Sequence, residues 1–381
     1  MRILQCVGDI DPALGGSVEA ARLLAAGLHQ QGHHPELVTL REPRAEWTEA
    51  WRGPVHHVGQ SATRYLYNRR LAGWIASRAC QFDAVVIHGL WRYTSAGVRR
   101  GLKGCGVPYF VFPHGMLDPY FERAFPWKHV QKSICWHAVE SRVLRDAWAV
   151  LFTSEEERRR ARSAFDGYVC REQVVGLGVA PPEEASASRQ AFVSKFPRLA
   201  GKRILLFLGR VHPKKGCDLL IRAFARAGRS DPRLQLVLAG PDECGWQASL
   251  IGVASQLGIA QRVTWTGPLY GQWKWAALRA TEVLALPSHA ENFGITVVEA
   301  MACSVPVLIS REVNIWREIE SDGAGFAAAD DAEGTAAALE RWLALPHAGR
   351  ERMRENALRS FSSRFELGRF TERFVACLRM T

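Results

Sequence analysis

Short apolar runs alternate with longer amphipathic stretches along almost the whole chain. Alternation of this kind is typical of a parallel sheet whose strands are buried on both faces beneath covering helices. The predicted strands are Ile3–Val7, Leu37–Leu40, Ala84–Ile87, Tyr109–Phe112, Val150–Phe152 and Gln173–Val175 in the first half, then Ile204–Leu208, Leu234–Ala239, Val263–Thr266, Val283–Leu286 and Val307–Ile309 in the second. The pattern predicts an α/β protein with two Rossmann-like domains.

A change of composition separates the two halves. Residues 180–189 contain paired prolines and small polar residues without a periodic apolar face, which is typical of a linker. We predict an N-terminal domain over residues 1–180 and a C-terminal domain over residues 181–360. Phe and Leu then recur at spacings of three and four, so residues 361–381 are predicted to form a terminal helix.

The cysteine content and the apolar runs indicate the compartment. The nine cysteines are an odd number without paired spacing, as expected of reduced thiols in a cytosolic protein. The first strand runs straight into Gly8 and Asp9 without the pattern of a signal peptide. No apolar run approaches the roughly 20 residues that a membrane-spanning helix needs. A cytoplasmic location is therefore predicted.

The formal net charge of +11 calls for an anionic partner, which could be a phosphorylated substrate, an acidic membrane surface or a nucleic acid. Nucleic acid is disfavoured because the basic residues are scattered and no zinc-finger spacing occurs. One stretch interleaves aromatic and basic side chains, namely Trp127, Lys128, Lys132, Trp136, Arg142 and Arg145. A helix resting on the inner face of an acidic membrane and a partly exposed core helix explain this stretch equally well.

The most informative segment lies near residue 290. A predicted strand ends before a polar loop with Glu291, and a short helix with Glu299 follows. The amides and the positive dipole end of a helix N-terminus suit a phosphate, while carboxylates bind neighbouring hydroxyl groups. Phosphate together with hydroxyls describes a sugar nucleotide.

The two glutamates, separated by seven residues and followed by Ala-Met-Ala-Cys-Ser-Val-Pro-Val, resemble the signature of retaining GT-B glycosyltransferases of glycosyltransferase family four. The resemblance implies two Rossmann-like lobes with a deep cleft between them and a last helix that crosses back onto the N-terminal lobe. It implies that Glu291 lies against the donor sugar and that Glu299 binds the nucleotide ribose. The backbone amides of Asn292, Phe293 and Gly294 match positions that face the sugar and diphosphate. The family usually has Gly where this chain has Ser304, and we expect only a local change of packing.

Arg210 and Lys215 follow the strand Ile204–Leu208, and the matching family residues contact the donor diphosphate. Such cations stabilise the negative charge that the leaving diphosphate gains. Lys214 is the weaker of the two adjacent lysines as a candidate. The turn at Gly240 resembles the family's turn beneath the nucleotide, although a simple tight turn explains it as well.

Four N-terminal residues are further candidates. Gly15 and Gly16 precede a predicted helix and resemble a loop that reaches the diphosphate and the acceptor. His114 follows a predicted strand and matches a histidine that touches the donor sugar near its sixth carbon. His88 ends the preceding predicted strand, and we expect it to face the acceptor.

The reaction implied is transfer of a hexose from a UDP- or GDP-linked sugar to a saccharide or lipid-linked acceptor with retained anomeric configuration. Asp9 and Asp11 imitate a metal-binding motif of another glycosyltransferase fold, but Arg210 and Lys215 already supply positive charge, so neither a metal nor a cofactor is expected. The surrounding sequence most resembles bacterial enzymes of exopolysaccharide or lipopolysaccharide biosynthesis. The alternatives are a non-catalytic nucleotide-sugar-binding protein and a Rossmann oxidoreductase, although residues 8–16 lack the glycine pattern that the latter needs.

Overall fold

The computed structural model describes residues 1–49, 51–61, 63–120, 122, 126–182 and 188–380. The chain divides into two compact units. Unit 1 contains residues 1–178 and the segment from Leu367 onward, and unit 2 contains residues 179–366. Of the predicted linker, residues 183–187 lie outside the described residues.

Unit 1 is built on a parallel sheet that has seven strands within the described residues, in the order β3-β2-β1-β4-β5-β6-β7. The strands are β1 (Arg2–Cys6), β2 (His34–Thr39), β3 (Val55–His57), β4 (Ala84–His88), β5 (Tyr109–Phe112), β6 (Ala149–Phe152) and β7 (Glu172–Val174). Its first helices are α1 (Gly16–Gln30), α2 (Ala45–Glu49), α3 (Leu71–Ala76), α4 (Tyr93–Leu102), α5 (Pro126–Cys135), α6 (Ser141–Asp146) and α7 (Glu155–Ala161). A π-helical turn, Trp136–Glu140, joins α5 to α6.

Unit 2 repeats the scheme with a six-stranded parallel sheet, counted over the described part of the chain, in the order β10-β9-β8-β11-β12-β13. The strands are β8 (Arg203–Leu208), β9 (Leu234–Ala239), β10 (Val263–Gly267), β11 (Val283–Leu286), β12 (Val307–Ser310) and β13 (Gly325–Ala328). The helices are α8 (Arg189–Lys195), α9 (Cys217–Ala227), α10 (Gln247–Gln256), α11 (Gln272–Ala280), α12 (Ile295–Ala302), α13 (Trp316–Ser321), α14 (Ala332–Leu343) and α15 (His347–Ser360).

The end of the chain returns to unit 1. A π-helical turn, Phe361–Phe365, ends unit 2, and α16 (Leu367–Leu378) packs on α1 of unit 1. Gly27 of α1 allows the close approach, since a Cβ there would lie 2.0 Å from Thr371 Oγ1. The tail predicted as one helix is thus interrupted at Glu366, where the chain passes from unit 2 to unit 1.

The predicted architecture of two parallel α/β units is confirmed, and each predicted strand is present with its ends within three residues of the predicted ones. The central strands are buried along almost their full length, for example all six residues of β9. Such strands must be apolar on both faces, which is why the apolar runs predicted them. Two of the four edge strands, β3 and β13, were not predicted, and both are partly exposed.

Candidate active site

The strand order of unit 2 brings two loops together. The order changes direction between β8 and β11, so the loops that follow these two neighbouring strands lie side by side at the carboxyl edge of the sheet. The first loop carries Arg210 and Lys215, and the second carries Glu291. A backbone hydrogen bond of 2.9 Å from His289 N to Lys214 O ties the loops to each other.

Lys215 and Glu291 form an ion pair at this point, with Lys215 Nζ donating to Glu291 Oε2. Both side chains are largely buried, at 16% and 20% exposure. Burial raises the pKa of Glu291, but the positive charge of Lys215, followed by that of Lys214, outweighs burial and holds the pKa below its ordinary value. Glu291 is therefore a carboxylate at neutral pH, with a cation directly beside it.

Two glycines make this approach possible. Gly216 has a φ of 68° and precedes α9, and a Cβ there would lie 2.1 Å from the carbonyl oxygen of Pro287 in the other loop. Gly294 has a φ of 77° and precedes α12, with Val313 and Val297 in contact range. A side chain at either position would combine a strained backbone with a collision, so these glycines fix the loop geometry.

The segment that follows β12 holds Glu291 from its backbone. Glu291 N donates to Glu312 O at 2.9 Å, and Asn314 N donates to Glu291 O at 3.0 Å. Asn314 Nδ2 is 3.4 Å from Asn292 Oδ1, while the ring of Phe293 is buried against Phe365. The predicted residues 291–294 thus form one rigid turn before α12.

Arg210 lies nearby but has another partner. Its guanidinium pairs with Glu243 at 2.9 Å, and its side chain is 46% exposed. Its charge also lowers the pKa of Glu291, although less than the two lysines do. An exposed ion pair of this kind contributes about 0–1 kcal/mol, so an incoming anion can replace Glu243 at little cost.

Glu299 is buried in α12 and pairs with Lys274 of α11, with 2.5 Å between Nζ and Oε1. The sequence analysis did not identify Lys274, because nothing in the local pattern of α11 marks it. Any ligand hydroxyl that binds Glu299 Oε1 must share it with Lys274 or replace the lysine.

Two further positions have structural explanations. The carboxylate of Asp242, just after Gly240, accepts from the amides of Trp246 and Gln247 at the start of α10, so this turn serves the fold. Ser304 has a left-handed φ of 57°. This corrects our expectation of a packing change, since the difference from Gly is backbone strain of about 1 kcal/mol.

In unit 1 the corresponding edge holds histidines. His88 ends β4 and His114 follows β5, and their rings are stacked with 2.9 Å between His88 Nδ1 and His114 Nε2. His88 Nε2 lies 2.8 Å from the side-chain oxygen of Gln5 on β1. The two predicted histidines therefore belong to one network, and Gln5 is a member that the sequence analysis did not include.

This network fixes where the protons lie. An amide oxygen only accepts, so His88 donates from Nε2 to Gln5 and accepts at Nδ1 from His114 Nε2. Burial lowers the pKa of His114 to about 3, and burial with the neighbouring ring lowers the pKa of His88 well below its usual range. His114 is thus neutral at physiological pH and has a free electron pair on Nδ1, which suits a hydroxyl donor.

The loop that carries His114 is anchored from α7. Gly115 N donates to Glu157 Oε1 at 2.7 Å, and Glu157 Oε2 accepts from the backbone and hydroxyl of Thr153. His114 itself has a φ of 51°. A non-glycine residue in this conformation is strained, and strain of this kind is frequent at functional sites.

The predicted glycine loop of unit 1 ends where α1 begins. Gly15 precedes the helix with a φ of 86°, Gly16 is its first residue, and no side chain caps it among the described residues. Gly15 N donates to Pro12 O, and the amides of Val18 and Glu19 donate to Gly15 O, which leaves the amides of Gly16 and Ser17 available to an anion within the described residues. Asp9 of the apparent metal motif pairs with Arg41 at 3.4 Å and accepts from Asp11 N.

A buried carboxyl group lies next to the loop after β4. Glu140 belongs to the π-helical turn and accepts from Trp91 N and Ser95 Oγ, both at 2.9 Å. Burial raises its pKa to about 7, and Oε2 has no partner within the described structure. Trp91 has a left-handed φ of 66°. This group could not be identified from the sequence, because a glutamate in a basic helical stretch looks like a surface residue.

The stretch of interleaved aromatic and basic residues is helical as predicted, but its side chains separate into two groups. Trp136 is 1% exposed and donates to Asp166 O, so for this tryptophan the core-helix explanation holds and the membrane-facing one does not. Trp127, Val130 and Ile134 of α5 are 85%, 54% and 68% exposed. Their spacing places these three side chains along one side of the helix. In the described part of the chain, no helix has the length and apolar character to cross a bilayer.

Comparisons with known proteins follow the division into two units. Residues 15–178 match the model of the Glycosyl transferase 4-like domain, and residues 188–360 match the model of Glycosyl transferases group 1. The D-inositol 3-phosphate glycosyltransferase of Nocardia farcinica is 32% identical over 174 residues, which is 44% of this chain and 39% of that protein. The match thus spans less than half of that relative's length.

Two solved structures resemble the whole chain. Anabaena Alr3699/HepE in complex with UDP and glucose has a TM-score of 0.76 at 18% identity and covers 100% of both chains. WaaG, a glycosyltransferase involved in lipopolysaccharide biosynthesis, has a TM-score of 0.69 at 18% identity over 100% of this chain and 99% of its own. At this identity the likeness establishes the fold. Both halves thus match models of glycosyltransferase domains, one each, and the chain has the GT-B fold.

Proposed function

We propose that this protein transfers a hexose from a nucleoside diphosphate sugar to a saccharide or lipid-linked acceptor, with retention of the anomeric configuration. The observation that carries the proposal is the ion pair between Lys215 and Glu291 at the carboxyl edge of unit 2. When a glycosidic bond to diphosphate breaks, the diphosphate gains negative charge and the sugar gains positive charge. A cation and a carboxylate fixed side by side match both changes, and they stabilise the transition state more than the ground state.

Each residue then has a distinct role. Lys215 binds the diphosphate together with Arg210, which exchanges its exposed partner Glu243 for a phosphate oxygen. Glu291 orients the sugar and stabilises its positive charge. The acceptor attacks from the face that the diphosphate leaves, and a phosphate oxygen takes up the acceptor proton. In this proposal the two cations perform the charge stabilisation that a divalent metal provides in other enzymes, so activity should persist in a chelator.

Glu299 and the histidines of unit 1 recognise hydroxyl groups in this proposal. Ribose hydroxyls bind Glu299 by sharing it with Lys274, which keeps the carboxylate oriented. His114 accepts from a sugar hydroxyl at Nδ1, and His88 supports His114 on the acceptor side. The amides of residues 292–294 and of Gly16 bind phosphate or sugar oxygens, while Gly15, whose own amide donates to Pro12 O, shapes the loop.

A role in bacterial exopolysaccharide or lipopolysaccharide assembly fits the likeness to WaaG and the basic charge of the chain. A lipid-linked acceptor would bring the protein to the cytoplasmic face of the membrane, where the exposed side chains of Trp127 and Ile134 could insert among headgroups. Vesicle sedimentation of the Trp127→Ser/Ile134→Ser variant beside wild type tests this part separately.

The donor assignment is tested by thermal unfolding with UDP, GDP and their sugar conjugates. Ligand at 100 times its dissociation constant stabilises the fold by about 2.7 kcal/mol, so one nucleoside diphosphate should raise the Tm clearly. Glu299→Gln should weaken that ligand at least tenfold, whereas Glu340→Gln, which alters an exposed ion pair with Arg226, should not. The sugar conjugate of the nucleoside diphosphate that raises the Tm should also be turned over, either by release of its sugar or by transfer to an acceptor. Binding without any turnover would identify a non-catalytic binding protein and refute the proposal.

A further inference from the structure

A second charged hollow lies at the opposite edge of the unit 2 sheet. It measures about 480 Å³, and its lining includes residues at the amino ends of the central strands. Arg203 begins β8, Arg233 precedes β9, and Glu282 precedes β11. Lys215 and Glu291 follow the carboxyl ends of the same strands. A strand of six residues is about 20 Å long, so this hollow is separate from the candidate active site.

The lining is strongly basic. Two glutamates, Glu282 and Glu351, also line the hollow, against six arginines: Arg189, Arg203, Arg233, Arg279, Arg350 and Arg354. The formal excess is therefore four positive charges, compared with +11 for the whole chain. A substantial share of the protein's net charge surrounds this one hollow.

Internal partners account for only part of this charge. Arg203 pairs with Asp231 and Glu282, and Arg354 lies 3.8 Å from Glu351. Arg350 contacts the ring of Trp342 at 5.6 Å, and within the described residues it has no carboxylate partner.

The helix dipoles offer an alternative explanation for some of the arginines. Cations at helix C-termini are favourable, and this explains Arg279 near the end of α11. It does not explain Arg350, which lies in the first turn of α15, where the dipole is positive. That turn contains no acidic residue and has no side-chain cap, so a cation there is destabilising. A bound anion would remove this destabilisation.

We propose that the hollow binds a compact anion with at least two phosphate charges, such as diphosphate or a small phosphorylated metabolite. Arginine guanidinium groups bind phosphate oxygens in pairs with planar geometry, and several of them converge here. A volume of about 480 Å³ is within the range of small-molecule sites. Because the hollow adjoins α15 and the strand starts, its occupancy can influence unit 2 independently of donor binding.

The test measures binding of inorganic pyrophosphate by calorimetry to the full chain. Arg210→Ala/Lys215→Ala serves as the background, so that the candidate active site does not contribute. Adding Arg350→Gln/Arg354→Gln should weaken pyrophosphate at least tenfold. The matched control, Arg352→Gln/Arg359→Gln, removes the same charge from exposed positions of the same helix, and it should change the affinity less than twofold. Circular dichroism melting verifies that each variant is folded.

Absence of pyrophosphate binding in the background variant would overturn the proposal. An equal loss of pyrophosphate affinity in Arg350→Gln/Arg354→Gln and in the control Arg352→Gln/Arg359→Gln would overturn it too, because the loss would then reflect overall charge. A second arm uses vesicles with phosphatidylglycerol to distinguish a lipid phosphate from a soluble one. Sedimentation that depends on Arg350 and Arg354 without pyrophosphate binding would assign the hollow to a membrane surface and overturn the small-anion proposal. None of these outcomes depends on whether nucleotide sugars bind the wild type.

Discussion

The carboxyl edges of the two sheets have the same topology but opposite chemistry. In unit 1 His88 ends β4 and His114 follows the neighbouring β5; burial keeps both uncharged, and a hydrogen bond links them. In unit 2 the loops after β8 and β11, which correspond to β1 and β4 of unit 1, carry Lys215 and Glu291, which are both charged and paired. One edge is suited to neutral hydroxyl groups, and the other to groups whose charge changes during a reaction.

This difference shows that the fold supplies the position while the side chains supply the chemistry. A parallel sheet brings loops together wherever its strand order changes direction, regardless of which residues they carry. If unit 1 binds neutral hydroxyl groups and unit 2 stabilises the changing charges, removing charge from unit 2 should affect the reaction far more than altering the hydrogen bonds of unit 1.

The largest effect is expected from the ion pair in unit 2. Lys215→Ala and Glu291→Ala should each lower kcat by about 10²–10³, because each removes stabilisation of charge that develops in the transition state. The double variant should lose little more activity than either single variant, since the two groups act together. Transfer or donor hydrolysis measures the effect.

The matched control for the ion pair is Arg226→Ala, which disrupts an exposed ion pair with Glu340 in the same unit and should leave kcat unchanged. Activity within threefold of wild type in Lys215→Ala or Glu291→Ala would contradict the claim that unit 2 stabilises the charges of the transition state through this ion pair.

The next effect concerns stability toward acid in unit 1. Unfolded histidine binds a proton below a pKa of about 6.5, whereas folded His114 does so only near 3. Between these values the unfolded state binds more protons, so the free energy of unfolding falls as the pH falls from 7 to 5. The loss is about 2 kcal/mol per buried histidine.

His114→Asn tests this, because asparagine tolerates the positive φ of His114. Urea unfolding at pH 7 and pH 5 should show a difference that is about 2 kcal/mol smaller than in wild type. The exposed His137→Asn should leave the difference unchanged. An unaltered pH dependence in His114→Asn would mean that His114 is protonated in the fold and that unit 1 is not an uncharged edge.

The smallest effect is expected from Gln5, which contacts neither substrate and acts by positioning. In Gln5→Leu the Nε2 proton of His88 loses its acceptor, and His114 is no longer held in one tautomer. Activity should fall about three- to tenfold, in line with roughly 1 kcal/mol for one hydrogen bond. Nitrogen-15 NMR should show a mixture of His114 tautomers.

The control for Gln5 is Gln235→Leu, which removes a similarly buried glutamine from β9 in unit 2. It should leave the His114 spectrum unchanged. A single His114 tautomer in Gln5→Leu would contradict the proposal that Gln5 fixes the tautomer of His114 through His88.

The fold could be predicted from sequence because β8, β9 and β11 are buried along almost their entire length and therefore read as apolar runs. The edge strand Val55–His57 gives no such signal, since it is only three residues long and its residues are half-buried or exposed. In both cases the buried fraction of the strand determines whether an apolar run marks it in the sequence.

For the candidate site, the motif led to Glu291 and Lys215, and the structure joins them in one pair. The roles assigned to them, and to Arg210 and the glycine loop, remain predictions. Lys274, Gln5 and Glu157 were missed because each acts on a residue distant in sequence, over 25, 83 and 42 positions. Such partners carry no local signature, so only the folded chain identifies them.

The carboxyl group of Glu140 has a practical consequence for handling the protein. Its folded pKa of about 7 lies above the unfolded value of about 4.3, so its contribution to stability is present in acid and is lost as the pH rises through 7. The histidines of the same unit act in the opposite direction below pH 6.5. Between about pH 5 and 6.5 the two effects oppose each other, and above about pH 7 neither group changes its protonation further, so the stability of unit 1 should vary less with pH than the histidines alone would dictate.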